Sequence, residues 1–307
     1  MPHTVFLTEH YTNLYKGIFS GACGGAVISV IGQPFDNVKF RLQTNTMYKG
    51  MIDCFSKMIR VEGISSLFKG LSLTLPNQIL FRSSLFLTQG ETKKYLLKYD
   101  HNENNKNKIW HYFAAGSIGW AIGSVIECPF DVVRLQLQKN LMSTIIIPNY
   151  VPQFTNVYNC INQMWKQNKL KTFYMGFSSH IIRNIFAGGI HLGTYDIIRE
   201  KIANYKGVDT IDIKIHENLF AGALSGVFFW SAIYPLDVIK SNLQSDHINK
   251  NERLHRNMFN CATHIYKVGG VKSFYKGLAP CVLRAIPANS LMLYVVTITN
   301  EKLLKTF

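Results

Sequence analysis

The chain has 307 residues, 47% of them hydrophobic and only 17% charged, and its 33 Lys and Arg against 18 Asp and Glu leave a net charge of +15. Such a chain suits an anionic membrane, acidic small molecules or nucleic acid, but it has no basic block, Cys/His zinc spacing or aromatic-interleaved RNA motif, which sets nucleic acid aside. Its six cysteines stand singly without CxxC pairs, so they read as small packing residues of a reduced protein and not as a disulfide framework.

In chain order, the opening MPHTVFLTEHYTNLYKG lacks the apolar core of a secretory signal and the Arg-rich character of a transit peptide, so targeting information is expected inside the chain. Residues 17–35 then run nineteen positions without a charge and end in PFDNVKFRLQ, Pro34 to Gln43. After GISSLFKG, Gly63 to Gly70, residues 71–90 carry only Arg82. The Asn/Lys-rich loop HNENNKNK follows, and then residues 112–130, whose only charge is Glu127. That segment ends in PFDVVRLQLQ, Pro129 to Gln138. The insertion spanning residues 139–156, with its run STIII, reads as tolerated loop variation. KLKTFYMG, Lys169 to Gly176, leads into residues 172–195, with Arg183 as their only charge. Residues 218–236 are again uncharged and end in PLDVIKSNLQ, Pro235 to Gln244; GVKSFYKG, Gly270 to Gly277, precedes the uncharged residues 285–300.

The pattern P-x-D-x-x-[K/R]-x-x-x-Q therefore occurs three times, and so does aromatic-x-Gly, with Gly70, Gly176 and Gly277 separated by 106 and 101 residues. Repetition on that scale means tandem supersecondary units. Cys54, Cys160 and Cys261 fall at matching places. Spanning hydrocarbon takes about 20 helical residues, and six segments are long enough. Gly17/Gly21/Gly25, Gly119/Gly123, Gly189/Gly193 and Gly222/Gly226 have the small-xxx-small spacing of close helix packing. A soluble helix of this length needs a polar face, which these barely have. The expected fold is an all-α membrane protein of six transmembrane helices in three two-helix repeats, 1–100, 101–208 and 209–307. Asp36, Lys39 and Gln43 lie at i, i+3 and i+7, hence on one helical face. Proline kinks converge such helix ends, and intramembrane charges demand pairing or water.

These motifs resemble the signature of the mitochondrial carrier family, P-x-[D/E]-x-x-[K/R]-x-[K/R] followed by [D/E]-G-x-x-x-x-aromatic-[K/R]-G, over nearly the whole chain. Repeat one fits throughout, with Pro34, Asp36, Lys39, Arg41, Glu62, Gly63, Phe68, Lys69 and Gly70. The others depart: Gln136 and Asn242 replace the second base, Asn168-Lys169 replaces Glu-Gly, Met175 replaces a base, and Gly269 replaces an acid.

The resemblance implies a pseudo-threefold bundle with short helices on the matrix side. It also implies a matrix gate of three ion pairs, Asp36–Arg134, Asp131–Lys240 and Asp237–Lys39, with Gln43, Gln138 and Gln244 as braces. A cytosolic gate is implied in which only Tyr195, Asp196 and Arg199 fit, Lys93 supplying a second base, so a resting preference for the state open to the intermembrane space is expected. Substrate contact points fall on Asn77, Arg183 and Arg284. Arg183-Asn184 is similar to carriers of carboxylate or keto acids, whereas GVFFWSAIYPLDVIKS and RAIPANS look like the carnitine/acylcarnitine and ornithine carriers. Both substrate types stay open.

Arginine forks suit carboxylates, and Arg82 adds a base near the first contact. Glu127, one turn before Asp131, and Trp230, two turns before Asp237, are expected to face the cavity. There they either meet a substrate ammonium or, respectively, offset arginine charge and pack against a helix. His180 and His191 are candidates for proton coupling. The expected function is exchange of a small anionic or zwitterionic metabolite across the mitochondrial inner membrane. An uncoupler-like proton or anion leak is the alternative. A monomer is expected, with cardiolipin bound, both termini toward the intermembrane space, and no cofactor or metal. No nucleophile–base pair, metal cluster or P-loop suggests an enzyme.

Overall fold

The computed structural model describes residues 2–44, 47–99, 108–146, 151–208 and 213–306. Six long helices dominate it: α1 (Pro2–Thr44), α3 (Leu71–Tyr99), α4 (Lys108–Ile146), α7 (Phe177–Lys206), α8 (Ile215–Gln244) and α10 (Leu278–Thr306). Shorter elements join the two long helices of each repeat. These are α2 (Met51–Glu62) with a 3-10 turn (Ile64–Phe68), α5 (Val157–Asn168) with α6 (Leu170–Phe173), and α9 (Met258–Ser273). No strand occurs among the described residues. The long helices run 29 to 43 residues, more than a bilayer requires.

Each long helix packs on two others. α1 packs on α3, α3 on α4, α4 on α7, α7 on α8, α8 on α10 and α10 back on α1, which closes a ring. The ring is polar inside and apolar outside. Ile118, Ile122 and Val125 on α4 and Ile182, Ile185 and Phe186 on α7 are exposed, while Glu127, Asp131, Arg183, Asp237 and Lys240 are buried. That inversion suits a hydrocarbon exterior around a wet interior. Among the described residues, hydropathy alone picks out only Phe113–Thr144 and Phe220–Gln244 as candidate spans. Gly, Ser and inward-facing polar residues dilute the apolar signal elsewhere, as in the GIFSGACGG stretch of α1.

Small residues set the helix spacing, though not all of those the spacing suggested. A Cβ on Gly25 would stand 2.6 Å from the Gln78 carbonyl oxygen. Gly188, outside any expected pair, lies against the Gly116 backbone and the Trp120 ring. Gly222 has nothing near its missing Cβ, so that expected packing position faces open space.

The short elements explain the glycines that recur between repeats. Gly70, Gly176 and Gly277 have φ of +87°, +68° and +85°, a left-handed turn entering the second long helix. The preceding turn uses Gly63 (φ +80°) and Gly270 (φ +63°), and in repeat two Lys169 adopts φ +49°. Lys169 is the only non-glycine residue with positive φ among the described residues. The turn geometry thus persists where the glycine does not.

The other departures resolve into one lost contact. In repeat one Arg41 grips Glu62 through both guanidinium nitrogens, and Lys69 Nζ adds a contact at 3.2 Å. Burial works against the Glu62 carboxylate, but the Arg41 and Lys69 bonds and charges outweigh it and hold its pKa below the ordinary value. Repeats two and three lack both members together: Gln136 and Asn168 in one, Asn242 and Gly269 in the other. Losing both avoids the penalty of leaving one buried charge unpaired. Gln136 instead donates to the Gln244 and Asp246 carbonyls at 3.0 and 2.6 Å, tying α4 to the end of α8. Cys54, Cys160 and Cys261 are fully buried, and burial pushes their thiols up to about 11, about 12 and about 12.

Gly25→Ala is expected to cost about 1–3 kcal/mol through overpacking, read as a lower Tm in detergent, while Gly222→Ala leaves Tm unchanged. Equal Tm values for the two variants would contradict the packing described. Lys169→Gly should raise Tm, removing left-handed strain of about 1–2 kcal/mol; a lower Tm would show that the Lys169 side chain holds the turn.

Candidate functional site

The repeated Pro-x-Asp-x-x-base motif places an acid and a base near the same end of α1, α4 and α8, and the bundle brings the three ends together. Lys39 Nζ lies 2.5 Å from Asp237 Oδ2, Lys240 Nζ 2.5 Å from Asp131 Oδ2, and Arg134 Nη2 3.3 Å from Asp36 Oδ2. The pairs run in one cyclic sense, from repeat one to three, three to two and two to one.

Each aspartate uses its second oxygen as well, toward a residue of α3, α7 or α10. Arg284 Nη1 is 2.7 Å from Asp36 Oδ1, Arg183 Nη2 is 3.3 Å from Asp237 Oδ1, and Asn77 Nδ2 donates to Asp131 Oδ1 at 3.3 Å. Every aspartate therefore joins its own repeat to both of the others. These second partners are the three residues singled out as substrate contacts, so the contact residues and the ion ring form one network.

The glutamines stand differently from the expected bracing. Gln43 Nε2 donates to the Tyr234 hydroxyl at 3.1 Å, Gln138 Nε2 to Asn37 Oδ1 at 2.5 Å, and Gln244 Nε2 to Cys128 Sγ at 3.5 Å. Among the described residues none of them bonds to an ion pair. They lie one turn further along and tie the same pairs of repeats in the same cyclic sense. The residue before the motif proline receives the glutamine in two repeats, Tyr234 and Cys128, while Asn37 receives it in repeat one. Gln33 donates to the Lys69 carbonyl, Cys128 Sγ to the Phe173 carbonyl and the Tyr234 hydroxyl to the Lys276 carbonyl, anchoring the turns that precede α3, α7 and α10. Sequence reading missed Gln33, Asn37 and Tyr234, although a polar residue beside a recurring proline is a usable signal.

Two adjoining cavities lie at the centre of the bundle, the first lined by the six ion-pair residues and both reached by Gln78, Glu127, Arg183, Trp230 and Arg284. Trp230 is a hub for three cations from three helices: Lys39 Nζ, Arg284 Cζ and Arg183 Cζ stand 4.9, 5.4 and 6.0 Å from its ring centroid. Its ring is thus engaged by the protein's own charges, and Glu127 is the remaining candidate acceptor for a substrate ammonium. Glu127 Oε2 accepts from Asn184 Nδ2 at 2.9 Å and lies 3.2 Å from His180 Nε2, and Arg183 Nη1 donates to Asn184 Oδ1 at 2.6 Å. Glu127, Asp131 and His180 converge within 4.8 Å, but the Lys240 ammonium on Asp131 makes this an ion-pair cluster that would repel a metal cation.

Arg82 lines the outer cavity with His191, Phe81, Trp120 and Phe229, and it has neither an ion pair nor a side-chain hydrogen bond among the described residues. His191 packs against Trp120 and Phe229, with ring centroids 6.0 and 5.4 Å apart.

At the opposite end of the bundle, Arg199 Nε donates to Asn218 Oδ1 at 2.9 Å and its guanidinium lies 5.5 Å from the Tyr195 ring centroid. The side chains of Lys93 and Asp196 lie outside the described residues, as do residues 147–150 of the insertion.

Comparison with known proteins matches the family profile "Mitochondrial carrier protein" to residues 10–100, 105–206 and 212–307. The mitochondrial basic amino acids transporter of Rattus norvegicus is 30% identical over 283 residues, covering 91% of this chain and 87% of that protein. Mitochondrial substrate carrier family protein S of Dictyostelium discoideum is 28% identical, covering 91% of this chain and 94% of that protein. Solute carrier family 25 member 45 of Homo sapiens is 28% identical over 88% of this chain and 93% of that protein.

Asp131→Asn leaves Lys240 buried without its carboxylate and should lower stability by about 3–5 kcal/mol. Adding Lys240→Gln should restore much of the loss in Tm. A double variant no more stable than Asp131→Asn would contradict the pairing.

Proposed function

Because the chain belongs to the mitochondrial carrier family, matched in all three repeats, we propose that it exchanges a small carboxylate anion across the mitochondrial inner membrane at the central cavity. Transport of a metabolite is what the family and the relatives' names support; the substrate class rests on the charge of the cavity. Lys39, Arg82, Arg134, Arg183, Lys240 and Arg284 line it against Asp36, Glu127, Asp131 and Asp237, an excess of two positive charges. The observation that carries the reading is Arg82, a guanidinium facing the cavity with no carboxylate at ion-pair distance among the described residues. A substrate carboxylate would supply that partner, and burial strengthens such a bond.

The mechanism follows from the shared aspartates. A carboxylate first meets Arg82 in the outer, aromatic-walled cavity and then reaches Arg183 and Arg284. Each guanidinium that turns to the substrate leaves Asp237 or Asp36 with one partner in place of two. The ring weakens where the substrate binds, so binding favours the state in which that end is open. The ring end is read as the matrix gate, Tyr195, Asp196, Arg199 and Lys93 as the opposite gate, and cardiolipin as a lipid at the short helices of a monomer. The motif positions support the two gate assignments, while cardiolipin and the monomer rest on the family resemblance alone.

A second reading has its own support. Relatives at about 30% identity are named basic amino acids transporters, and Glu127 lies in the cavity. A basic amino acid would place its carboxylate on Arg82 and its ammonium on Glu127, against the cavity's positive excess.

Thermal-shift measurement across keto acids, dicarboxylates, carnitines, basic amino acids and nucleotides separates the readings, since a ligand of one state stabilises by mass action. Keto acids or dicarboxylates should raise Tm, and a response to basic amino acids alone would overturn the anion reading. Arg82→Gln should weaken the responding anion about 10–100-fold, the worth of one charged hydrogen bond of about 1.5–3 kcal/mol. It should leave ligand-free Tm unchanged or higher, because a buried charge without a partner is removed. A lower ligand-free Tm with unchanged affinity would make Arg82 structural.

A further inference from the structure

His180 is fully buried on α7, and its Nε2 stands between two groups with opposite demands. Asn184 Nδ2, a donor, is 3.3 Å away, and the Glu127 carboxylate, an acceptor, is 3.2 Å away. The orientation of the Asn184 amide is fixed from its other end, where Oδ1 accepts from Arg183 at 2.6 Å, and Nδ2 also reaches Ser124 Oγ at 3.1 Å. A neutral imidazole satisfies Nε2 by accepting from Asn184; a protonated one satisfies it by donating to Glu127. Both protonation states therefore have a hydrogen-bond partner in one geometry, and the other ring nitrogen, Nδ1, has none in either. Glu127 itself lines both cavities, so the imidazole reaches substrate space through one carboxylate.

We infer that His180 and Glu127 form a proton site, and that the carrier moves one proton together with each carboxylate anion. The inference rests on the anion reading above. The charged groups around the pair set the direction of coupling: Glu127 and Asp131 on α4 and Lys240 on α8 act on the imidazole directly, and Arg183 on its own helix acts on Glu127. Lys240 and Arg183 oppose a further positive charge while the cavity is empty. An anion joining Arg183 offsets that charge, and a proton from the facing compartment then bonds to Nε2, which donates to Glu127. When the anion leaves on the far side, the N–H bond breaks and the proton follows it into that compartment. Only this N–H bond forms and breaks, so a singly charged anion crosses without net charge.

The test uses the full chain in cardiolipin-containing liposomes with a trapped pH dye, the potential clamped by potassium and valinomycin, and labelled 2-oxoglutarate and malonate as probes. In liposomes holding no internal anion, net uptake should acidify the lumen by about one proton per anion, whereas in one-for-one exchange the inward and outward protons cancel. His180→Gln should move less than one tenth of those protons per anion while labelled anion counterflow continues. Should His180→Gln not fold, His180→Asn serves the same comparison. Anion uptake without acidification, or acidification that survives in the folded His180 variant, overturns the inference and leaves the anion reading standing. No uptake of either probe, together with no thermal shift by any anion, overturns the anion reading and this inference with it.

Discussion

Three aspartates hold the two layers of the site together. Asp36, Asp131 and Asp237 each touch a base from one neighbouring repeat and a side chain of α3, α7 or α10 from the other. Remove the network and the bundle would enclose up to nine polar or charged groups without partners, five of them buried and four half-buried, a cost that helix packing alone does not repay. The same burial limits its net strength, since desolvation offsets much of the attraction between ions. A ring that is stable when complete and weak once one partner is diverted is what a gate needs. The inward charges, the apolar exterior and the close helix contacts at Gly25 and Gly188 all follow from placing that ring inside a membrane-spanning bundle.

Much of this was legible in the sequence, because the motif carries its own geometry. Proline, acid, base and glutamine at fixed offsets put the acid and base on one helical face, and three copies at similar separation imply a threefold arrangement. The three ion-pair distances fall between the residues that the family resemblance pairs. What the sequence could not carry was closure between repeats. That Arg284 reaches Asp36 across 248 positions, or that Gln43 reaches Tyr234 and not an ion pair, depends on how six helices are arrayed and on no local pattern. The paired loss of Arg41 and Glu62 equivalents looked like scattered departures until the bidentate contact in repeat one showed them to be one event. Gly222 had the right spacing but the wrong azimuth.

The departures from threefold symmetry concentrate where a substrate of lower symmetry must be recognised. The ring repeats acid and base three times, yet its second partners are Arg183, Arg284 and the neutral Asn77. Near the first contact the positive charge sits instead on Arg82, five residues further along α3, in an aromatic chamber with His191. Beside Asn77 and Asp131 lies Glu127 with His180, a pair absent from the other two repeats. One side of the cavity is thus basic and the other carries an acid with an imidazole. An anion accompanied by a proton matches that division, and a basic amino acid matches it only against the cavity's positive excess.

The central claim is that substrate and ring aspartates compete for the same guanidinium groups. Ile64 and Leu170 start the short segments that follow α2 and α5, and Val271 follows the Gly269–Gly270 kink in α9; all three are exposed, so spin labels there report the three repeats. Pulsed electron resonance distances among the three positions, measured in lipid with and without a saturating anion that stabilises the protein, test the claim directly. Competition predicts a second, longer component for each label pair when the anion is bound. Unchanged distances at a concentration where thermal shift registers full binding would contradict it.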